Sequence, residues 1–287
     1  MNVVTHIHEL KELIKQHQEK QHSIGFVPTM GFLHEGHLTL AKEARDQNDL
    51  VVMSIFVNPL QFGPNEDFES YPRDMERDQR LAEEAGVDIL FTPDVKEMYA
   101  NEPSITMTVR KRTDVLCGKK RPGHFDGVVT VLTKLFHLVA PTNVYFGLKD
   151  AQQVAVIDAM IKDFFFDLHL VSVPTVREED GLAKSSRNVY LSDKERQEAP
   201  ALYRALKKGQ SAIENGERDV SRIYQLVEED ILQSGEIDYI EIYSYPELEP
   251  LKQLAGQVII AIAVKFSRAR LIDNVIFHVP ESGEKHV

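Results

Sequence analysis

The stretch "VPTMGFLHEGHLTL", Val27 to Leu40, places His34 and His37 three residues apart with Gly36 between them. It lies where an apolar strand-like run gives way to a helical pattern. A helix that starts there presents free N–H groups and a positive dipole end, both suited to phosphate. Gly31 and Gly36 would let backbone approach a ligand closely. The two imidazoles can donate to phosphate oxygens, and in protonated form can offset charge on a departing pyrophosphate. The plainer alternative is a pair of surface histidines in a turn, and spacing alone leaves both open. A zinc site needs at least three protein ligands. No cysteine or third histidine sits nearby in sequence, so the metal alternative is set aside.

These residues need a scaffold, and the chain has room for one. It has 287 residues, 43% hydrophobic and 27% charged, a globular composition. Its net charge of −12 argues against nucleic acid as a partner but not against a small anion in a local basic pocket. The one cysteine, Cys117, excludes an intrachain disulfide and fits a cytoplasmic protein. The first residues interleave charge with apolar side chains, unlike a signal peptide. No apolar run approaches the ~20 residues of a membrane span.

From Ser23 to about Pro174, strand and helix patterns alternate. "SIGFVPT", "LVVMSIFVN", "VDILFTP", "NVYFG" and "DLHLVSVP" read as strands. "EGHLTLAKEARDQN" reads as a helix with Leu38, Ala41 and Arg45 along one face. "PRDMERDQRLAEEAG" reads as a helix with Pro72 in its first turn and Gly86 past its end. "GVVTVLTKLFHLVAP" and "KDAQQVAVIDAMIKDF" complete the helices. This order predicts an α/β fold, a Rossmann-like doubly wound parallel sheet. After about Val176 come two charged helices, "DKERQEAPALYRALKKGQSAIENG" and "DVSRIYQLVEEDILQSG", then three strands. That predicts a smaller C-terminal α+β domain. The expected division is 1–175 and 176–287, ending in a loose tail, "HVPESGEKHV".

In such a sheet, ligands sit beyond the carboxyl ends of the strands. Asn58 and Gln61 in "VNPLQF" should therefore reach the same edge as the histidines. So should Gly147, Lys149 and Asp150 in "FGLKDAQQ". Lys149 is a mobile cation suited to phosphate. Asp150 can cap the next helix or face the ligand. Gln61 can hold a hydroxyl or a carboxylate, or be an ordinary loop residue. "KSSRN" supplies Lys184, Ser185, Ser186 and Arg187 at the domain seam, where a lid would close. Lys119, Lys120 and Arg121 form a basic island, by default a solvated loop.

"PTMGFLHEGH" resembles the signature of the pantoate–β-alanine ligase family, within the H-x-G-H nucleotidyltransferase superfamily. "FVNPLQFGPNEDFESYPRD", "RPGHFDGVVTVLTKLF", "FGLKDAQQ" and "VREEDGLAKSSRNVYLS" follow in the family's order. The resemblance implies a ligase that uses ATP and Mg2+ to join pantoate to β-alanine through an enzyme-bound pantoyl adenylate. It also implies a cytoplasmic homodimer whose smaller domain acts as a lid. It places ATP against Met30, Gly31, Phe32, Leu33, His34, Glu35, Gly36 and His37. Further ATP contacts are implied from Gly147, Leu148, Lys149, Asp150, Val176, Lys184, Ser185, Ser186 and Arg187. Pantoate falls to Gln61, Gln153 and Asn58, β-alanine to Gln61, and magnesium to Asp150. Arg121 and His124 are placed near the mouth. His37, His34, Lys149 and Arg187 are the expected catalytic groups. Where the family often has an apolar residue, this chain has Lys184.

Three other functions compete. A transferase stopping at a nucleotidyl product would fit H-x-G-H alone. An aminoacyl-tRNA synthetase is faintly echoed by H-x-G-H and "KSSR", but the chain is short and acidic. A nucleotide sensor would keep ATP affinity and need neither His37 nor an acid-binding pocket.

Overall fold

Two sheets organise the chain. The computed structural model describes residues 1–64, 66–231 and 235–280. The first sheet contains β1 (Asn2–Val4), β2 (Ile24–Thr29), β3 (Leu50–Ile55), β4 (Ile89–Phe91), β5 (Asn143–Gly147) and β6 (His169–Val173). All its pairings are parallel, in the order β1-β4-β3-β2-β5-β6. Its helices are α1 (Ile7–Glu19), α2 (Glu35–Gln47), α3 (Met75–Glu84), α4 (Val95–Met98), α5 (Leu116–Lys120), α6 (His124–Val139) and α7 (Ala151–Asp163).

Period-two alternation explains why the central strands are apolar throughout. Phe26 and Val52 pack on the face covered by α1, α6 and α7. Their neighbours Val27, Val51 and Met53 pack on the opposite face, against α2 and α3. The chain winds outward from β2 through β3 to β4, then returns to β5 on the other side of β2. The gap between the ends of β2 and β5 is therefore the topological switch, where a parallel sheet leaves a crevice.

The second sheet is antiparallel: β7 (Glu236–Ser244), β8 (Gly256–Lys265) and β9 (Arg270–Val279). It follows α8 (Asp193–Glu198), α9 (Ala201–Glu214) and α10 (Val220–Ile231). Val258, Ile260, Ile262 and Val264 face α9 and α10. Ile259, Ala261 and Ala263 face Leu116, Cys117 and Ala155 of the first unit. Both faces of β8 are thus buried.

Several local expectations need correction. Pro72 is outside α3, because Asp74 starts the helix by accepting from the Arg77 N–H at 3.1 Å. The buried residues of α2 are Leu40, Ala41 and Ala44, while Arg45 reaches out to Asp88 at 2.6 Å. The segment expected as one long helix is two, α8 and α9, parted at Pro200, which cannot donate to the earlier helix. His278 and Val279 belong to β9 rather than to a tail, and 281–287 lie outside the described residues.

Candidate active site

The turn after β2 is built to present the histidines. Gly31 and Phe32 both occupy the left-handed region, at φ +83° and +49°. A side chain at Gly31 would meet Ile55 at 2.8 Å. Phe32 carries a backbone strain of order 1 kcal/mol that must be offset nearby. Asp78, on α3 and 1% exposed, does this by accepting from the Phe32 and Leu33 N–H groups, both at 2.7 Å. Arg77 donates to the Leu33 carbonyl at 2.9 Å. The Ser186 hydroxyl donates to the Phe32 carbonyl at 3.3 Å, tying "KSSRN" to the same turn.

The chain then enters α2 with His34 as its cap. His34 Nδ1 accepts from the Gly36 N–H at 3.1 Å, and His37 Nδ1 accepts from the His34 N–H at 3.4 Å. With each Nδ1 an acceptor, each neutral ring carries its proton on Nε2. The ring centroids are 4.1 Å apart. Burial, then His37 and Lys149, push the His34 pKa down to about 2. Burial, then Lys149, push His37 down to about 4, against the pull of Asp150. Both imidazoles are therefore neutral near pH 7 in the ligand-free protein. Gly36 lies tight against the His34 ring as well: a Cβ there would sit 2.8 Å from it.

Gln61 arrives from the end of β3. Its carbonyl oxygen Oε1 accepts from Asn58 Nδ2 at 2.9 Å, so its own NH2 is turned elsewhere. Asn58 also donates to the Gly127 carbonyl at 3.0 Å and accepts from the Tyr99 hydroxyl at 2.9 Å. It is 1% exposed and does not line the cavity. Its expected contact with pantoate is thus corrected to holding Gln61. Close packing of α6 against this turn requires Gly127, whose Cβ would sit 2.2 Å from the Leu60 carbonyl oxygen. His124 donates from Nδ1 to the Gln61 carbonyl at 2.8 Å and accepts from Arg121 at 3.1 Å. Burial, then Arg121, lower its pKa to about 4.

From the end of β5 come Lys149 and Asp150. Their side chains are 3.8 Å apart, and Asp150 makes no cap hydrogen bond to α7. Asn274 on β9 donates to the Leu148 and Lys149 carbonyls at 2.9 and 3.0 Å, fixing this loop from the second sheet. Gln152 and Gln153 differ sharply. Gln152 is buried and bonded to Arg112, Val115 and Gly118, whereas Gln153 faces the cavity with no bonded partner among the described residues.

Arg187 meets Asp67 through Nε and Nη2, both at 3.0 Å, and lies over the Tyr71 ring at 5.5 Å. Arg121 meets Glu66 at 2.6 and 2.7 Å. Lys184 sits between Glu35 and Glu178, 2.6 Å from each, which raises its pKa, Glu178 first. Ser185 Oγ accepts from the Arg187 N–H at 3.2 Å. The Val176 carbonyl accepts from the Lys184 N–H at 2.9 Å.

One cavity of about 230 Å³ gathers these groups. Met30, His34, Gly36, His37, Gln61, Arg121, His124, Gly147, Lys149, Asp150 and Gln153 line it, as do Val176 and Lys184 to Arg187. Of the expected residues, Gly31, Phe32, Leu33, Glu35, Leu148 and Asn58 do not. The Phe32 and Leu33 N–H groups are already taken by Asp78, so they are not free for phosphate. Sequence reasoning missed Tyr71, Asp67, Asp78 and Asn274. Only Asp67, inside the quoted "FVNPLQFGPNEDFESYPRD", and Tyr71 with it, carried any signal. Among the described residues no three His, Cys, Asp or Glu side chains converge as a metal cage.

Residues 2–276 match the sequence profile of the family described as pantoate-beta-alanine ligase. The chain belongs to the pantoate–β-alanine ligase family. Members of this ligase family join pantoate to β-alanine, and this chain is an enzyme of that kind. It is 99% identical to the pantothenate synthetase of Bacillus pumilus (strain SAFR-032), over all of both chains. It is 64% identical to that of Bacillus subtilis (strain 168), over 98% of this chain and 99% of the relative. The solved pantothenate synthetase from Thermus thermophilus superposes with a TM-score of 0.92 at 45% identity, over 98% of this chain and 100% of that one. Pantoate-beta-alanine ligase from Francisella tularensis, complexed with beta-gamma ATP and beta-alanine, gives 0.80 at 34% identity, over 96% and 97%.

Proposed function

We propose that this ligase activates pantoate with ATP as an enzyme-bound pantoyl adenylate, then transfers the pantoyl group to β-alanine. A pantoate carboxylate oxygen attacks the α-phosphorus. The bond to the β-phosphate breaks, and pyrophosphate leaves with its electron pair. The β-alanine amine then attacks the acyl carbon, AMP departs and the amine loses a proton. No protein nucleophile is needed, so catalysis rests on positioning and charge stabilisation.

The observation that carries this reading is the convergence of three kinds of group in one cavity. His34 and His37 offer neutral Nε2–H donors at the start of α2. Lys149 and Arg187 offer the cations that hold phosphates. Gln61 and Gln153 offer amides for a small hydroxy acid, with Gln61 serving β-alanine after activation. Ser185, Ser186, Lys184 and the Val176 backbone complete the nucleotide side. The ATP analogue and β-alanine of the Francisella relative support the choice of ligands.

Magnesium fits the donor set. The Asp150 carboxylate is half exposed and uncommitted to the helix it precedes. Mg2+ prefers one or two carboxylates together with phosphate oxygens and water. Bound there by Asp150, it would neutralise phosphate charge. In the same reading, residues 176–287 form a lid over the triphosphate, which Arg187 and Asn274 would couple to 1–175. A cytoplasmic homodimer completes it, in line with the family resemblance and a single free thiol. Among the described residues no helix is long and apolar enough to cross a membrane.

Steady-state product analysis tests the reading. Mixing enzyme, magnesium, ATP, pantoate and β-alanine should release AMP in step with pantothenate. ADP and inorganic phosphate would contradict it.

A further inference from the structure

A second, larger cavity of about 620 Å³ adjoins the first and shares Arg121, His124, Lys149, Asp150, Gln153, Ser185 and Arg187 with it. Its far wall belongs to neither the histidine turn nor the "KSSRN" loop. Lys120 at the end of α5, Lys265 at the end of β8, Arg268 in the following turn and Arg270 on β9 line it. Three of them surround one carboxylate. Asp238, 4% exposed, lies 3.3 Å from Lys120, 3.7 Å from Lys265 and 2.9 Å from Arg270. Glu236 adds one contact to Lys265, at 3.2 Å. Arg268 is exposed and makes no ion pair among the described residues. Over the whole lining of this cavity, seven lysines and arginines face five carboxylates, an excess of two positive charges in a chain whose total is −12.

We propose that this wall is a second anion site, holding inorganic pyrophosphate as it leaves the catalytic cavity. The inference rests on the adenylate reading, which makes pyrophosphate the leaving group. Four observations carry it. Lys149 and Arg187 line both cavities, so a released anion has this wall directly beside the phosphate subsite. Its excess charge is positive where the protein as a whole repels anions. Asp238 holds Lys120, Lys265 and Arg270 side by side and cannot neutralise all three. Arg268 presents an unpaired guanidinium, which binds phosphate through a planar fork. Pyrophosphate carries more charge than inorganic phosphate and has two phosphoryl groups to share among these cations, which favours it at this wall. The cations also draw the anion off Lys149 and Arg187, clearing the phosphate subsite for the amine step.

The test is calorimetric titration of the full-length enzyme with inorganic pyrophosphate, with inorganic phosphate as a parallel arm. The variants are Arg268→Ala, which breaks no ion pair, and Arg268→Ala combined with Lys265→Gln. The double variant should bind pyrophosphate about tenfold more weakly, the single one about threefold, with a flatter dependence on salt. Inorganic phosphate should change less. AMP formation with pyrophosphatase present should stay within about twofold of the parent, because these residues lie outside the catalytic cavity. Unchanged pyrophosphate affinity beside normal AMP release would overturn this site alone. So would a parallel fall in AMP formation by the folded single variant, which would place Arg268 in the substrate site. ADP in place of AMP from the parent enzyme would instead overturn the adenylate reading.

Discussion

On one wall of the cavity, His34 and His37 are neutral and bonded to backbone; on the other, Arg121 and Arg187 are charged and held by Glu66 and Asp67. The histidine wall is set by neighbours in sequence and locked by Asp78 from α3. Its donors are aimed before any ligand arrives. The arginine wall is set by ion pairs between segments far apart in sequence, more than 50 residues for Arg121–Glu66 and more than 100 for Arg187–Asp67. Asp67 takes the Nε edge of Arg187 and leaves Nη1 and one Nη2 proton for a phosphate. In the proposed mechanism, one wall would supply fixed dipoles for charge that develops during reaction. The other would supply full charges for phosphates that are already charged on arrival.

Breaking the histidine wall should cost most. His37→Ala should fold and lose about 10²–10³ in kcat, the usual effect of deleting one donor to developing oxyanion charge. Near-normal turnover of the folded variant would remove His37 from the chemistry. Gln61→Ala and Gln153→Ala should come next, weakening pantoate about 10- to 100-fold while ATP affinity changes little, because each leaves a polar substrate group unpaired. Gln152→Ala should instead lower Tm, since its amide bonds three backbone groups. Titrations with each ligand and thermal melts separate the adjacent pair.

Loosening the arginine wall should cost less. Asp67→Asn keeps the shape but weakens the hold on Arg187, so KM for ATP should rise about three- to tenfold with kcat nearly intact. A large fall in kcat would show that this wall also acts in the transition state. The smallest effect concerns pH. A histidine ordinarily titrates near 6.5, and folded His37 is lowered to about 4. The folded protein therefore binds fewer protons than the unfolded chain between those values. Its stability loses nothing from His37 above pH 6.5 and falls as pH drops below it toward 4. The kcat/KM profile, which reports the free enzyme, should show no His37 inflection between pH 6 and 8. A kcat/KM profile that rises as pH falls through 6.5 would mean that His37 is protonated before substrate binds.

The contrast also explains what could be read from sequence. His34 and His37 stand at a strand-to-helix junction whose pattern is local, and the apolar "VVMSIF" run announces a strand covered on both faces. Gln61, Lys149 and Gln153 follow directly from the ends of β3 and β5. Asp78 gives no such sign, because it looks like any charged residue on a polar-faced helix until tertiary packing brings it under the turn. Asn274 is worse placed still, in a strand of another sheet. Asn58 misleads for a related reason: one residue type serves equally to touch a ligand or to hold the neighbour that does. Hydrogen bonds between distant segments leave no periodicity behind.

Isotope transfer tests the central claim most directly. Pantoate labelled with oxygen-18 in its carboxylate, supplied with unlabelled ATP, magnesium and β-alanine, should yield AMP carrying one labelled oxygen and pyrophosphate carrying none. That result requires the carboxylate to attack the α-phosphorus. Unlabelled AMP, or label appearing in inorganic phosphate, would contradict the account.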